Sequence, residues 1–415
     1  MSKDKNNILK IITTFSFIIL AAFPIMKENI NSIVIIFCAL LTVIDRLLNK
    51  QHFKFDKTLL TLSFVFWMFF IHELISFDFS IKRILLYLPF LVFPLLFHFR
   101  PKYINYKIIN KSIYVFQLSI LVRCIYFLFV FLNENSIFQL FDVGNYNIPF
   151  FRHYVFHNAS FQIHQTYFSI FLLISFNLSC FIINNNGKKS KKLLSIQILN
   201  GLFTAFFIFL FSSRMVMIIL FLTIVFLLFY FGRKQSKTRV IALVGSFIIL
   251  CCVGFYSFND ILTKRFNEIC TEINNPVKGL NYNSTNVRVM FFTCSLELAK
   301  NLPFFGYGDS LQSDLNSCYG NNFDTDFYKK QDYNTHNYYF NLLLYGGWFF
   351  IILFLFYIFY VFIRIKHSTL AIVFLLQILM INLTENYFSR HFGIIPFTYF
   401  ITIFIFFKKT KYFLK

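Results

Sequence analysis

The sequence predicts an all-α polytopic integral membrane protein, with about twelve transmembrane helices and one large periplasmic loop that contains short helices. Three observations carry this expectation. Of the 415 residues, 57% are hydrophobic and only 14% charged, which leaves too little polar surface to cover a soluble core. Apolar runs of about 17 to 25 residues, the length that crosses the hydrocarbon layer as helix, recur from end to end. The short connections between alternate runs are basic, as in loops retained on the cytoplasmic side.

The first run, residues 9–26, follows Lys3, Lys5 and Lys10 and contains Ala21 and Ala22, so a cleaved signal peptide is its rival reading; retention fits the charge distribution better. Arg46, Lys50, Lys54 and Lys57 lie where runs 30–47 and 58–74 meet, and runs 84–99 and 112–132 flank Arg100, Lys102, Lys107 and Lys111. Runs 166–183 and 194–211 enclose Lys188, Lys189, Lys191 and Lys192, while 215–231 and 240–258 enclose Arg233, Lys234, Lys237 and Arg239. The last three runs, 338–363, 370–386 and 394–407, place Arg364, Lys366 and the terminal lysines on the same side. With the N-terminus inside, these segments hold most of the 39 lysines and arginines. Topology thus accounts for the net charge of +21, and the expected partner is anionic membrane lipid, not nucleic acid.

The chain accordingly divides into residues 1–258 with nine spans, the loop 259–337, and residues 338–415 with three more. A smaller outer segment, 133–165, carries Arg152, His153, His157 and His164. Within the large loop, Thr285-Asn286 offers an N-cap and Val287, Met290, Phe291, Cys294 and Leu298 recur at helical spacing, which predicts a helix over 287–301. Pro303 ends it, and Gly306 and Gly308 permit a sharp turn. Residues 309–332 lack periodicity and read as a lid or a partner-reading surface. Of the eight cysteines, Cys270, Cys294 and Cys318 fall in this loop; an oxidising compartment allows them one disulfide, and the sequence does not choose the pair. No Cys-x-x-Cys metal spacing and no nucleotide-phosphate loop occur, so neither a metal nor a cofactor is expected.

Arg214, between two spans separated by almost no loop, falls at head-group level, where a lipid-linked phosphate would sit; the rival reading is a snorkelling interfacial side chain. Arg288 opposes the dipole in the first turn of its predicted helix, a cost that a bound anion would relieve. Arginine suits that task because its planar fork binds phosphate oxygens bidentately. His336 precedes the tenth span and can accept a proton at neutral pH, although a lone histidine in a polar loop is usually only solvated. Glu385, near the outer end of the eleventh span, reads as an ion-pair partner more readily than as a base. Arg123, in the middle of the fifth span, needs a partner in the membrane, for which Glu73 and Glu385 are the candidates. The loop tyrosines Tyr282, Tyr307, Tyr319, Tyr328 and Tyr333 have the flat faces on which sugars stack.

In order along the chain, His164-Gln165-Thr166-Tyr167, Ser213-Arg214, Asn286-Val287-Arg288, the Pro303 to Gly308 turn, His336-Asn337-Tyr338 and Gly346-Gly347 resemble the O-antigen ligase family, which also includes Wzy-type polymerases and protein O-oligosaccharyltransferases. Gln165 stands where the family motif often has proline. The resemblance covers residues 162–393. It implies a bacterial inner-membrane enzyme that transfers a glycan from undecaprenyl pyrophosphate to an acceptor hydroxyl on the periplasmic face, with inversion and without a metal. For the ligase branch that acceptor is lipid A-core, in lipopolysaccharide biosynthesis. By the same resemblance Arg214 and Arg288 hold the pyrophosphate and His336 activates the acceptor, with His164, Tyr167, Tyr307, Asn337, Glu385 and Arg123 around the substrates. A flippase for the same lipid-linked glycan is the alternative of another class; it would keep short outer loops and place its charges within the bundle.

The basic-loop pattern predicts that both termini are cytoplasmic and that 259–337 is periplasmic. Cysteines introduced between 309 and 332 are expected to react with an impermeant thiol reagent in intact spheroplasts, and protection of that segment would reject the topology.

Overall fold

The computed structural model describes residues 3–75, 79–142, 149–159, 163–184, 191–232, 284–322 and 332–407, together with residues 263, 267 and 270. The expected span at 240–258 lies outside the described residues, as do Tyr282 and Tyr328 of the large loop.

What is described is helical. Among the described residues, eight helices are long and apolar enough to cross a membrane: Asn7–Ile25, Glu28–Leu48, Ile81–His98, Tyr106–Leu132, Gln165–Asn184, Lys191–Phe211, Arg214–Gly232 and Tyr338–Ile365. Three shorter apolar helices, Phe64–Ile75, Thr369–Ile381 and His391–Phe406, occupy the expected third, eleventh and twelfth positions. The expected third span is interrupted at Ser63, which separates Lys57–Leu62 from Phe64–Ile75. The eleventh helix stops at Ile381, because the Asn382 carbonyl turns away to accept from Tyr338 N at 2.9 Å. At 1.5 Å per residue its 13 residues cover about 20 Å, less than a full hydrocarbon layer.

Helix starts follow from capping side chains that satisfy otherwise orphaned backbone N–H groups. Asp56 accepts from Leu59 N at 2.7 Å, Asn105 from Lys107 N at 2.9 Å, and Asn337 from both Tyr339 N and Phe340 N at 3.0 and 3.1 Å. The central helix is α9 (Gln165–Asn184), buried over most of its length. Polar side chains fix its register. Asn200 donates to Ser175 and Ser179 at 3.0 and 2.8 Å, and Asn177 donates to Gln377 at 2.6 Å. Such inter-helical bonds hold membrane helices together where lipid removes the hydrophobic drive between them. Around this frame the phenylalanines interlock edge to face, as Phe90 does with Tyr357 and Phe388.

At one end of the bundle sit α12 (Ser284–Lys300) and α13 (Leu311–Asn322). The first matches the helix predicted at 287–301; the second replaces part of the irregular stretch expected over 309–332. Cys294 and Cys318 join them in a disulfide, Asn322 donates to Glu297 at 2.9 Å beside it, and Cys270 keeps its free thiol.

The connection between α12 and α13 is seated in a break in the long span α14 (Tyr338–Ile365). Gly347 in that span has a non-helical φ of 69°. A Cβ on Gly347 would lie 2.2 Å from the Phe304 carbonyl oxygen, and one on Gly306 2.5 Å from the Tyr345 oxygen. Both glycines also have positive φ, so backbone conformation and close approach each demand glycine. Tyr307 N completes the contact by donating to Leu344 O at 2.7 Å. Gly201, by contrast, has 3.7 Å of clearance. Gly347→Ala is therefore expected to destabilise the purified protein by about 2 kcal/mol or more, read as a lower unfolding midpoint, while Gly201→Ala leaves the midpoint near wild type. Equal midpoints for the two variants would contradict this packing.

Candidate functional site

The turn-in-break contact brings four segments together at one end of the bundle: the start of α9, the first turns of α12, the residues before α14, and the connection 382–390. His336 lies at their centre. Its backbone is left-handed, with φ 45°, a conformation that costs a non-glycine residue about 1 to 3 kcal/mol and must be held by its surroundings. Asn334 Oδ1 accepts from His336 N at 3.0 Å. Thr335 donates to Asn337 O at 2.9 Å and Asn386 Oδ1 at 3.3 Å. The imidazole stacks on Phe291 of α12, with centroids 4.8 Å apart and planes 2° from parallel.

Nδ1 of His336 faces Glu385 Oε2 at 3.5 Å, an ionic contact too long to count as a made hydrogen bond. Glu385 is nearly enclosed, 13% exposed at the side chain. Burial pushes its pKa up, but His336, His164 and Arg288 together hold the carboxyl below its ordinary value. It stays ionised at the pH where a free glutamate begins to protonate. His164 is exposed on one side, yet enough protein surrounds the rest that desolvation lowers its pKa; Arg152, His336 and Arg390 act in the same direction and Glu385 against them. One carboxylate thus sits among two histidines and three arginines, and the excess of positive charge suits a polyanion.

The expected residues are placed differently. His336, Glu385, His164 and Arg288 share the site. Tyr167 borders it, its ring stacked on Tyr387 at 5.7 Å and its hydroxyl donating to Asn386 O at 3.4 Å. Arg214 opens α11 (Arg214–Gly232) two residues after Ser212, whose φ is 46°.

Tyr307 and Asn337 have structural work. The Tyr307 hydroxyl donates to Leu298 O at 2.9 Å and Asn301 O at 3.2 Å, closing the end of α12, and the Asn337 side chain caps α14 and donates to Leu383 O at 3.1 Å. Arg123 is buried in α7 (Tyr106–Leu132) over the rings of Phe127 and Tyr126, at 4.7 and 5.7 Å. The carboxylates expected beside it are engaged elsewhere, Glu385 with His336 and Glu73 with Arg83.

Two residues gain importance in the structure. Arg152 donates to Phe211 O and Ser212 O, each at 3.4 Å. The Gln165 amide, with its oxygen turned to the guanidinium, accepts from Arg152 Nε and Nη2 at 3.3 and 2.6 Å. Arg152 therefore ties the His164 segment to the junction that carries Arg214. Arg390 acts on the hydroxyl of Tyr167 and on His164. Neither stands in a motif, and only their position beside motif residues could have singled them out.

An all-helical membrane protein with histidine, carboxylate and arginine gathered at one end of its bundle is the class this arrangement defines. Residues 199–355 match the family model for O-antigen ligase, and over that segment the chain is similar to the O-antigen ligase family. The match includes Arg214, Arg288 and His336; Glu385, His164 and Tyr167 lie outside it and join the site through the fold. No curated protein matches the chain.

Glu385 faces Nδ1 of His336, so Glu385→Gln is expected to lower activity by about tenfold or more, the effect of losing one close opposite charge beside a group that becomes a cation. Wild-type activity in this variant, at equal membrane abundance, would separate the two residues functionally.

Proposed function

We propose that the protein is a glycosyltransferase of the bacterial inner membrane that moves a glycan from undecaprenyl pyrophosphate to an acceptor hydroxyl on the periplasmic face, with lipid A-core as the acceptor. The observation that carries the reading is His336 held between Phe291 and Glu385, beside Arg288 and within a family-matched segment. In this reading the loop 259–337 is periplasmic and both termini are cytoplasmic.

The acceptor hydroxyl gives its proton to His336 as the oxygen attacks the anomeric carbon. With Nδ1 turned to the carboxylate, Nε2 is the nitrogen left to take that proton, and Glu385 stabilises the imidazolium that forms. The bond from the anomeric carbon to the pyrophosphate oxygen breaks on the opposite face, so configuration inverts and polyprenyl pyrophosphate leaves. Arg288 and Arg214 meet the charge that grows on the leaving group, an interaction that strengthens toward the transition state. The donor is already activated, and neither a nucleotide nor a metal has a part, so activity survives chelation.

His336→Ala is expected to slow transfer by about 10² to 10⁴-fold with donor binding retained. Arg288→Lys and Arg214→Lys should each lose most activity although charge is kept, because an ammonium cannot reproduce a bidentate phosphate contact. Wild-type turnover in the lysine variants, at equal membrane abundance, would assign the arginines to topology.

A further inference from the structure

Behind the His336 loop lies a cavity of about 200 Å³ that the mechanism above does not use. Its walls include Arg83, Asp309, Gln312, Asn334, Asn341 and Tyr345. Arg83 is fully committed. It contacts both Glu73 and Asp309, donates to the Tyr345 hydroxyl at 2.6 Å and lies over that ring at 4.6 Å. The Tyr345 hydroxyl in turn donates to Glu73 at 2.6 Å, and Ser80 N donates to the other Glu73 oxygen at 2.8 Å.

Two carboxylates against one guanidinium leave this wall with a net negative charge, so a phosphate or a uronate is disfavoured. Asp309 Oδ2 is shielded from solvent and has no hydrogen-bond partner among the described residues. A buried acceptor left unmade costs about 1 to 3 kcal/mol, a cost that a ligand hydroxyl would remove. Asn334 spends only its oxygen, on His336 N, which leaves its amide N–H groups for a ligand. Asn341, one turn before Tyr345 on α14, offers a second amide, and the Phe69 and Tyr345 rings, 5.9 Å apart, supply an apolar face. Amides, one free carboxylate oxygen and an aromatic wall are the chemistry of a polyol site, and the volume suits one sugar ring and not a chain.

We propose that this cavity holds one neutral sugar ring of the acceptor glycan, oriented by Asp309, Asn334 and Asn341. The assignment to the acceptor rests on the transferase reading: the cavity shares Asn334 with the base, whereas the arginines assigned to the donor pyrophosphate lie on α11 and α12. A neutral ring seated here would present its hydroxyl toward His336.

The test uses the purified full-length protein with methyl glucoside, methyl galactoside and methyl glucuronide as probes. Saturable binding is expected for a neutral glycoside, weaker by about tenfold or more for the glucuronide, and lost in Asp309→Asn and Asn341→Phe. No saturable neutral binding, an equal affinity for the glucuronide, or wild-type binding in both variants would overturn the proposal; the wild-type preference decides even where a variant does not fold. In transfer assays Asn341→Phe should raise the acceptor concentration for half-maximal rate about tenfold or more and leave the donor value in place. A shift in the donor value instead overturns the assignment to the acceptor. Neutral glycoside binding in a protein that transfers nothing would reject the transferase reading and retain the sugar site.

Discussion

The seating of the Gly306 turn in the break at Gly347 is the contact on which the site depends. Left to itself, a helical pair such as α12 and α13, joined by one disulfide, has no fixed relation to the span beside it. The missing side chains at the two glycines let backbone meet backbone, and the Tyr307 bond to Leu344 fixes the register. That register sets where Phe291 of α12 stands relative to His336, two residues before the start of α14. The left-handed backbone at His336 is then held by Asn334 on one side and by the stacked ring on the other. Close backbone packing thus holds a strained residue in place, and the His336 side chain is positioned by it.

Electrostatics follow from the same placement. A single enclosed carboxylate, Glu385, faces His336 and feels His164 and Arg288, while Arg152 binds the His164 segment to the Ser212 junction. Cations outnumber anions around the histidine. Behind the loop the balance reverses, with Glu73 and Asp309 enclosing Arg83. A centre that is positive on one side and negative on the other can separate an anionic leaving group from a neutral nucleophile without moving parts.

Much of the architecture was legible because membrane burial writes itself into long apolar runs: the boundaries expected for the spans at Gln165–Asn184, Lys191–Phe211 and Arg214–Gly232 fall within a few residues. Breaks were not legible. Ser63 and Gly347 interrupt apolar runs whose composition does not change across them, and only the partner packed at the break reveals it. Arg288 and His336 drew attention because they stand in motifs, and Glu385 as an expected partner of Arg123, whereas the structure sets it against His336. Tyr307 and Asn337 were read as substrate contacts but have backbone groups to satisfy, a demand that depends on where each helix ends. Arg152 and Arg390 carry no motif, and their roles arise only when segments distant in sequence meet.

The central claim is that this cluster transfers a glycan. The most direct measurement is mass spectrometry of the products formed by the purified protein in liposomes from an undecaprenyl-pyrophosphate glycan and lipid A-core. The account predicts glycan joined to lipid A-core with release of undecaprenyl pyrophosphate. Longer lipid-linked chains with lipid A-core untouched would make the protein a polymerase, and donor recovered intact on the far side of the membrane, with no bond broken, would contradict the account outright.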